Sequence, residues 1–113
     1  MSGALLRLTI TAIAIVVAAY LLPEQLAIRS VGSVLMFAVV LGVLNVLVKP
    51  ILLFFTLPLN FLTLGLFTLV INAFVFWLAA QFPLGVRVSG FEGAFLSALV
   101  VSVVSFVVAR ATP

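Results

Sequence analysis

The sequence predicts an all-α integral membrane protein, a compact bundle of four transmembrane helices with a kinked, interfacial segment after the second helix. Three observations carry that expectation. Of 113 residues, 67% are hydrophobic and only 6% are charged, whereas an ordinary soluble domain carries about 25% charged residues. The few charges are spaced so that they cut the chain into apolar runs of membrane-spanning length. Finally, Lys49 and Pro50 interrupt one such run, "VLNVLVKPILLFFTLPLN", where a helix that began near Val31 would be leaving the hydrocarbon.

A helix needs roughly 20 apolar residues to cross about 30 Å of hydrocarbon. Four runs meet that length, at about 3–22, 31–53, 61–82 and 91–109, within one domain covering 1–113. Arg7 lies near the start of the first run, where its stem can carry the guanidinium to the headgroups. Bulky Tyr20, Leu21 and Leu22 precede Pro23 instead of a small-x-small cleavage pattern, so this run reads as an uncleaved span and not a secretory signal.

The connections carry helix punctuation. Proline at a first helical position with an acid behind it suits a short interfacial turn of helix at Pro23 and Glu24. Ser30 is placed to cap the second span. Ser89 followed three residues later by Glu92 is a capping-box pattern, so Glu92 reads as a helix cap and not as a catalyst. Lys49 lies about 27 Å along a helix counted from Val31, and its flexible stem makes it an interfacial anchor. Pro50 cannot donate to the Val46 carbonyl and clashes with it, which kinks the helix. Thr56, Pro58 and Asn60 then supply turn chemistry, so that 51–60 runs along the interface. The rival reading puts Lys49, on one stripe with Gly42 and Asn45, inside the bundle as a buried charge.

Because lipid is as apolar as leucine, helices in a bilayer associate through small side chains and a few hydrogen bonds. Gly90, Ala94, Ala98 and Ser102 recur every four residues in the fourth run, with Ser97, Ser105 and Ala109 on the same broad face. Ala38 and Gly42 repeat that spacing in the second run, and Gly65 begins a similar stripe in the third. The polar intramembrane residues Asn45 and Asn72, together with Gln81, read as helix–helix hydrogen-bonding groups, Asn72 being nearest mid-span. "LGVLNVLVK" and "LGLFTLVIN" align at a spacing of 23 residues, a weak hint of internal duplication.

An even number of spans places both termini on one side, with Arg7, Lys49 and Arg110 there and Arg29 and Arg87 opposite. The basic excess makes the terminus side cytoplasmic. The chain has no His, Cys or Asp, so catalytic triads, Cys–His pairs, and zinc and haem sites lack their parts. No catalytic residue, metal site or cofactor is expected. The five basic residues are scattered, which excludes a nucleic-acid surface. The expected partners are the lipid bilayer and further copies of the chain.

The unit Asn45, Lys49, Pro50, Ile51, Leu52, the segment "TLPLNFLTLGL", Ile71 to Ala73, and Val88, Gly90 and Phe91 resemble the bacterial family of mycobacterial-type four-span phage holins, also called YvlD-like membrane proteins. The resemblance covers about 31–107. It implies four spans, residence in the bacterial cytoplasmic (inner) membrane and, from the holin name, a homo-oligomer that opens lesions for a lytic enzyme. Three residues follow Arg110, in place of the charged hydrophilic tail many holins carry, and this departure weighs toward the family's non-lytic members and a role in envelope maintenance or stress. A small transporter would need a polar pathway that three amides and one lysine barely supply.

Overall fold

In the computed structural model residues 3–63 and 65–111 are described, residue 60 through its backbone alone. The expected domain limits at 1 and 113 and the side chain of Asn60 lie outside the described residues. The elements run α1 (Gly3–Leu21), β1 (Leu26–Ile28), α2 (Val31–Leu47), α3 (Lys49–Phe55), α4 (Leu57–Leu62), α5 (Phe67–Ala80), β2 (Val86–Val88) and α6 (Gly90–Ala111). Three helical stretches among them are long and apolar enough to cross a membrane: α1, the run Val31–Phe55 formed by α2 and α3, and α6. The fourth apolar helix, α5, has 14 residues and reaches only about 21 Å at 1.5 Å per residue.

Helix is the form these runs must take, since hydrocarbon offers no water to unpaired peptide groups and a helix satisfies them within one segment. The outward faces match that solvent. Leu35, Val39, Phe54, Val103 and Phe106 are all exposed, an arrangement that would be a liability in water.

The two outer connections pair with each other. β1 and β2 form a two-stranded antiparallel ribbon in the register Leu26 with Val88, Ala27 with Arg87 and Ile28 with Val86. Period-two alternation turns Leu26, Ile28, Val86 and Val88 toward the helices and leaves Ala27 and Arg87 exposed. Beyond the strands, Arg29 N–H donates to the Gly85 carbonyl (2.9 Å) and Ser89 N–H to the Gln25 carbonyl (3.0 Å). At Pro23 and Glu24 the chain makes a single turn, closed by Leu26 N–H on the Leu22 carbonyl (2.9 Å), that feeds β1 directly. Leu26 and Val86, at 1% and 2% exposure, are held more firmly by burial than a single interfacial turn would be.

The four long helices pack in ring order: α1 against α2 and α6, and α5 against α2 and α6. α6 makes the most extensive contacts, along α5 and α1, and α2 is the more loosely held wall. Their packed residues lie in the half nearest the ribbon. Ala14, Ile15 and Ala18 of α1 meet Val34, Phe37 and Ala38 of α2, Val75, Phe76 and Ala79 of α5, and Ala94 and Ala98 of α6 in one cluster. At its centre Phe37 and Phe76 meet edge to face with centroids 5.0 Å apart, a favoured aromatic geometry. Ala38, Ala94 and Ala98 are buried in this cluster, at the small-residue positions that permit close helix approach.

Other positions on those stripes do not serve as contacts. A Cβ on Gly42 would meet nothing within 4 Å, because α2 turns this face outward. Ser102 is exposed, since α6 has by then passed beyond the packed half. Gly65 has φ 87° and stands outside any helix, so it breaks the chain where a packing glycine was expected. For the same reason α5 starts at Phe67 and not near 61, and the apparent repeat is not a conformational one: Gly42 is helical and Gly65 is not. Residues 61 and 62 end α4 instead.

Helix ends follow local chemistry. Ser30 caps α2, its hydroxyl accepting from Ser33 N–H at 3.2 Å. Val48 joins α2 to α3 with its helical bonds kept, its N–H donating to the Leu44 carbonyl (2.8 Å) and its carbonyl accepting from Leu52 N–H (3.1 Å), and Pro50 lies in the first turn of α3. Thr56 Oγ1 donates to the Leu52 carbonyl (2.8 Å) at the end of α3. Thr63 Oγ1 likewise donates to the Leu59 carbonyl (2.8 Å) and accepts from Phe67 N–H (3.3 Å), joining the end of α4 to the start of α5. Ser89 immediately precedes α6, its carbonyl accepting from Gly93 N–H (3.2 Å), and Glu92 lies in the first turn.

Gly85 has φ 88°, and a Cβ there would run into the Ser33 hydroxyl and approach Arg29 Cβ to 3.1 Å. Gly85→Ala should therefore lower the melting temperature in detergent by the equivalent of at least about 1–2 kcal/mol. Gly42→Ala, in open space on a helix, should leave it unchanged or raise it. Equal losses in thermal melts of the two variants would refute this account of the ribbon. Ser97 Oγ is buried without a hydrogen-bond partner among the described residues. Ser97→Ala, which removes an unsatisfied polar atom at nearly constant shape, should melt at or above the wild-type temperature.

Candidate functional site

The half of the molecule away from the ribbon is not filled. Between α1, α2, α5 and α6 lies a cavity of about 290 Å³, at water's share of roughly 30 Å³ per molecule room for about ten waters. Its end toward the ribbon is closed by Leu41, Phe76, Ala98 and Val101, all members of the buried core. Its walls carry polar groups among apolar ones: Arg7 and Thr11 from α1, Asn45 from α2, Lys49 at the start of α3, Asn72 from α5, and Ser102 and Ser105 from α6. Arg7, Asn45, Ser102 and Ala109 are exposed while Lys49, Asn72 and Ser105 are half-buried, so the cavity opens to its surroundings.

Helical spacing puts these side chains there. Arg7 with Thr11, and Asn45 with Lys49, are four residues apart and so share a helix face. Ser102, Ser105 and Ala109 continue the α6 face whose upper part, Ala94 and Ala98, is packed. Counted from the ribbon end at 1.5 Å per residue, Asn72, Thr11 and Ser102 lie about 12–18 Å in, Arg7, Asn45 and Ser105 about 21–23 Å, and Lys49 about 27 Å. The polar groups therefore begin near mid-membrane and become cationic toward the terminus end.

Electrostatically the site is one-signed. Two cations line it with five neutral donors, and no carboxylate lines it among the described residues. The two glutamates of the chain lie at the ribbon end, Glu24 before β1 and Glu92 in the first turn of α6. Such a donor set repels a metal cation and suits an anion. It holds no thiolate or imidazole ligand among the described residues.

Of the residues singled out from sequence, the structure brings together Asn45, Asn72, Lys49, Ser102 and Ala98 on this one cavity. Lys49 stands on its wall, half-buried. Gln81 stays apart, exposed, with Nε2 donating to the Trp77 carbonyl at 3.2 Å. Arg110 also stands apart, its guanidinium 5.1 Å from the Phe106 ring centroid. Sequence reasoning missed the part played by Arg7, Thr11 and Ser105. The available signal was that three helices carry polar residues at four- or three-residue spacing in the same terminus-side half.

An α-helical multi-pass membrane protein with a cavity lined in part by cationic and neutral polar side chains is the class these features define. The chain belongs to the family described as mycobacterial 4 TMS phage holin, superfamily IV, whose model matches residues 2–107. It is 45% identical over 78 residues to an uncharacterized protein of Streptomyces coelicolor, covering 66% of this chain and 62% of that protein's length. It is 38% identical over 82 residues to the uncharacterized membrane protein YvlD of Bacillus subtilis, covering 71% of this chain and 68% of the other. No solved structure matches it. The chain is thus a holin-like family membrane protein.

The chain has no native cysteine, so single cysteines can be probed against no background. Asn45→Cys and Ser105→Cys should react with a water-soluble, membrane-impermeant thiol reagent from the terminus side. Val103→Cys, on an exposed apolar face, should react at least tenfold more slowly. Equal rates at all three positions would show that the cavity is not selectively hydrated.

Proposed function

We propose that the chain is a non-catalytic, non-lytic multi-pass protein of the bacterial cytoplasmic membrane, with both termini in the cytoplasm. In this reading it is a compact bundle of four transmembrane helices, with about 61–82, α5 at its centre, making the third span. Its second span bends at Lys49 and Pro50, and residues 51–60 run along the cytoplasmic interface. The observation that carries the non-lytic reading is the closed inner end of the cavity. Leu41, Phe76, Ala98 and Val101, backed by the contact of Phe37 with Phe76, leave a single copy without a continuous polar path across the membrane.

The second reading, favoured by the family description, is a lesion-forming holin. It requires several copies to assemble a pore wall from surfaces a single copy keeps apart. Inducing the chain in a bacterial host and following entry of a membrane-impermeant dye separates the two. Undisturbed dye exclusion and viability at confirmed membrane expression is the expected outcome, and prompt permeabilisation would establish the holin reading. In the same host, a reporter active only in the cytoplasm should be active when fused after Pro113 and inactive when inserted in the 83–90 connection. The reverse pattern would invert the topology.

A further inference from the structure

The terminus-side cavity holds a charge imbalance that the chain does not correct. Arg7 and Lys49 approach it from α1 and α3, and both glutamate carboxylates of the chain belong to the ribbon end. Ionisable groups within a membrane-spanning segment are costly and normally pair with one another or face water. Here two like charges share one half-open space between apolar helices. Among the described residues no carboxylate lines the cavity to balance them.

We infer that this cavity is a binding site for a phosphate-bearing anion, held by Arg7 and Lys49 at its mouth and by the hydroxyls and amides below them. This assignment goes beyond the proposed function and stands whether or not the protein is lytic. The donor set suits a phosphate group better than a small spherical anion. A guanidinium offers a planar fork matched to two oxygens and a lysine offers three further donors. Thr11, Ser102 and Ser105 add rotatable hydroxyls, and the two asparagine amides bring N–H pairs. None of the described side-chain hydrogen bonds engages Asn45 or Asn72, so these amides are available to a ligand. A volume of about 290 Å³ holds a phosphate with part of its shell of water, where a bare halide would leave most of the donors out of reach.

Two sources supply this chemistry, an anionic phospholipid headgroup of the terminus-side leaflet and a soluble phosphate from the adjoining aqueous phase. The position favours the lipid. The Cα atoms of the two cations lie about 21–27 Å from the ribbon end of a hydrocarbon layer about 30 Å thick, from where their long stems reach the phosphodiesters of that leaflet. Basic pockets between membrane helices recognise anionic headgroups in this way. The looser packing of α2 and the exposure of Asn45 give a headgroup a lateral approach.

The test uses the full-length protein purified in a neutral detergent free of phospholipid, with thermal unfolding followed at constant ionic strength. Two probes are added separately, dioleoylphosphatidylglycerol and inorganic phosphate. Saturable stabilisation of several degrees by the lipid is expected, lost in Arg7→Gln and Lys49→Gln but retained in Arg110→Gln, whose guanidinium lies outside the cavity. The same pattern with inorganic phosphate alone would support the site and identify the soluble source. Absence of response to both probes, or an equal loss in Arg110→Gln, would overturn the inference. Should the glutamine variants not fold, Asn45→Asp decides the matter by placing a carboxylate one helical turn from Lys49. It should melt higher than wild type without ligand and respond to neither probe, whereas a wild-type response from Asn45→Asp would refute the site.

Discussion

Hydrocarbon cannot hydrate a peptide group or a charge, and each feature of this molecule is a response to that fact. Backbone polar groups must be satisfied within a segment, which makes the apolar runs helical. The connections between helices face the same demand where they lie against the packed core, and two of them meet it together by pairing as β1 and β2. The ribbon joins residues some sixty positions apart in the chain and seats four apolar side chains on the helices. It ties the ends of α1 and α5 to the starts of α2 and α6, which is why the best-packed half of the molecule lies directly beneath it.

Packing is uneven along the helix axes for a reason visible in the side chains. Near the ribbon, alanines at helical spacing let backbones approach and two phenylalanines fill the remaining centre. Toward the termini the corresponding inward positions are Arg7, Thr11, Asn45, Lys49, Ser102 and Ser105. These groups gain more from water or a polar ligand than from one another, since none of them is an acid. Close packing of that half would have buried two like charges, and the half-open cavity is the arrangement that avoids it.

The same asymmetry bears on activity. A space that is polar at one end and plugged by Leu41 and Phe76 at the other resembles a vestibule more than a channel. A holin-type lesion would therefore be a property of an assembly, while the vestibule is a property of one copy. Membership of the holin-like family and the presence of the cavity thus speak to different levels of organisation.

The sequence by itself determined the solvent in which the chain folds, the helical character and approximate position of its apolar runs, the cap at Ser30, and the family. Those are consequences of composition, local spacing and punctuation, which act within a few residues. Only tertiary structure decided the rest. Whether a small residue on a stripe is a contact depends on how its helix is turned and on how far along it the packed half reaches, so Ala94 and Ala98 are buried while Gly42 and Ser102 are not. Gly65 reads as a helix-packing residue until its positive φ makes it a breaker. The ribbon was hidden because three-residue strands carry almost no periodic signal and gain their stability from partners far along the chain. The cavity was hidden for a related reason: Arg7, Asn45, Asn72 and Ser105 lie on four separate helices, and their meeting depends on the rotation and depth of each helix, quantities that only mutual packing sets.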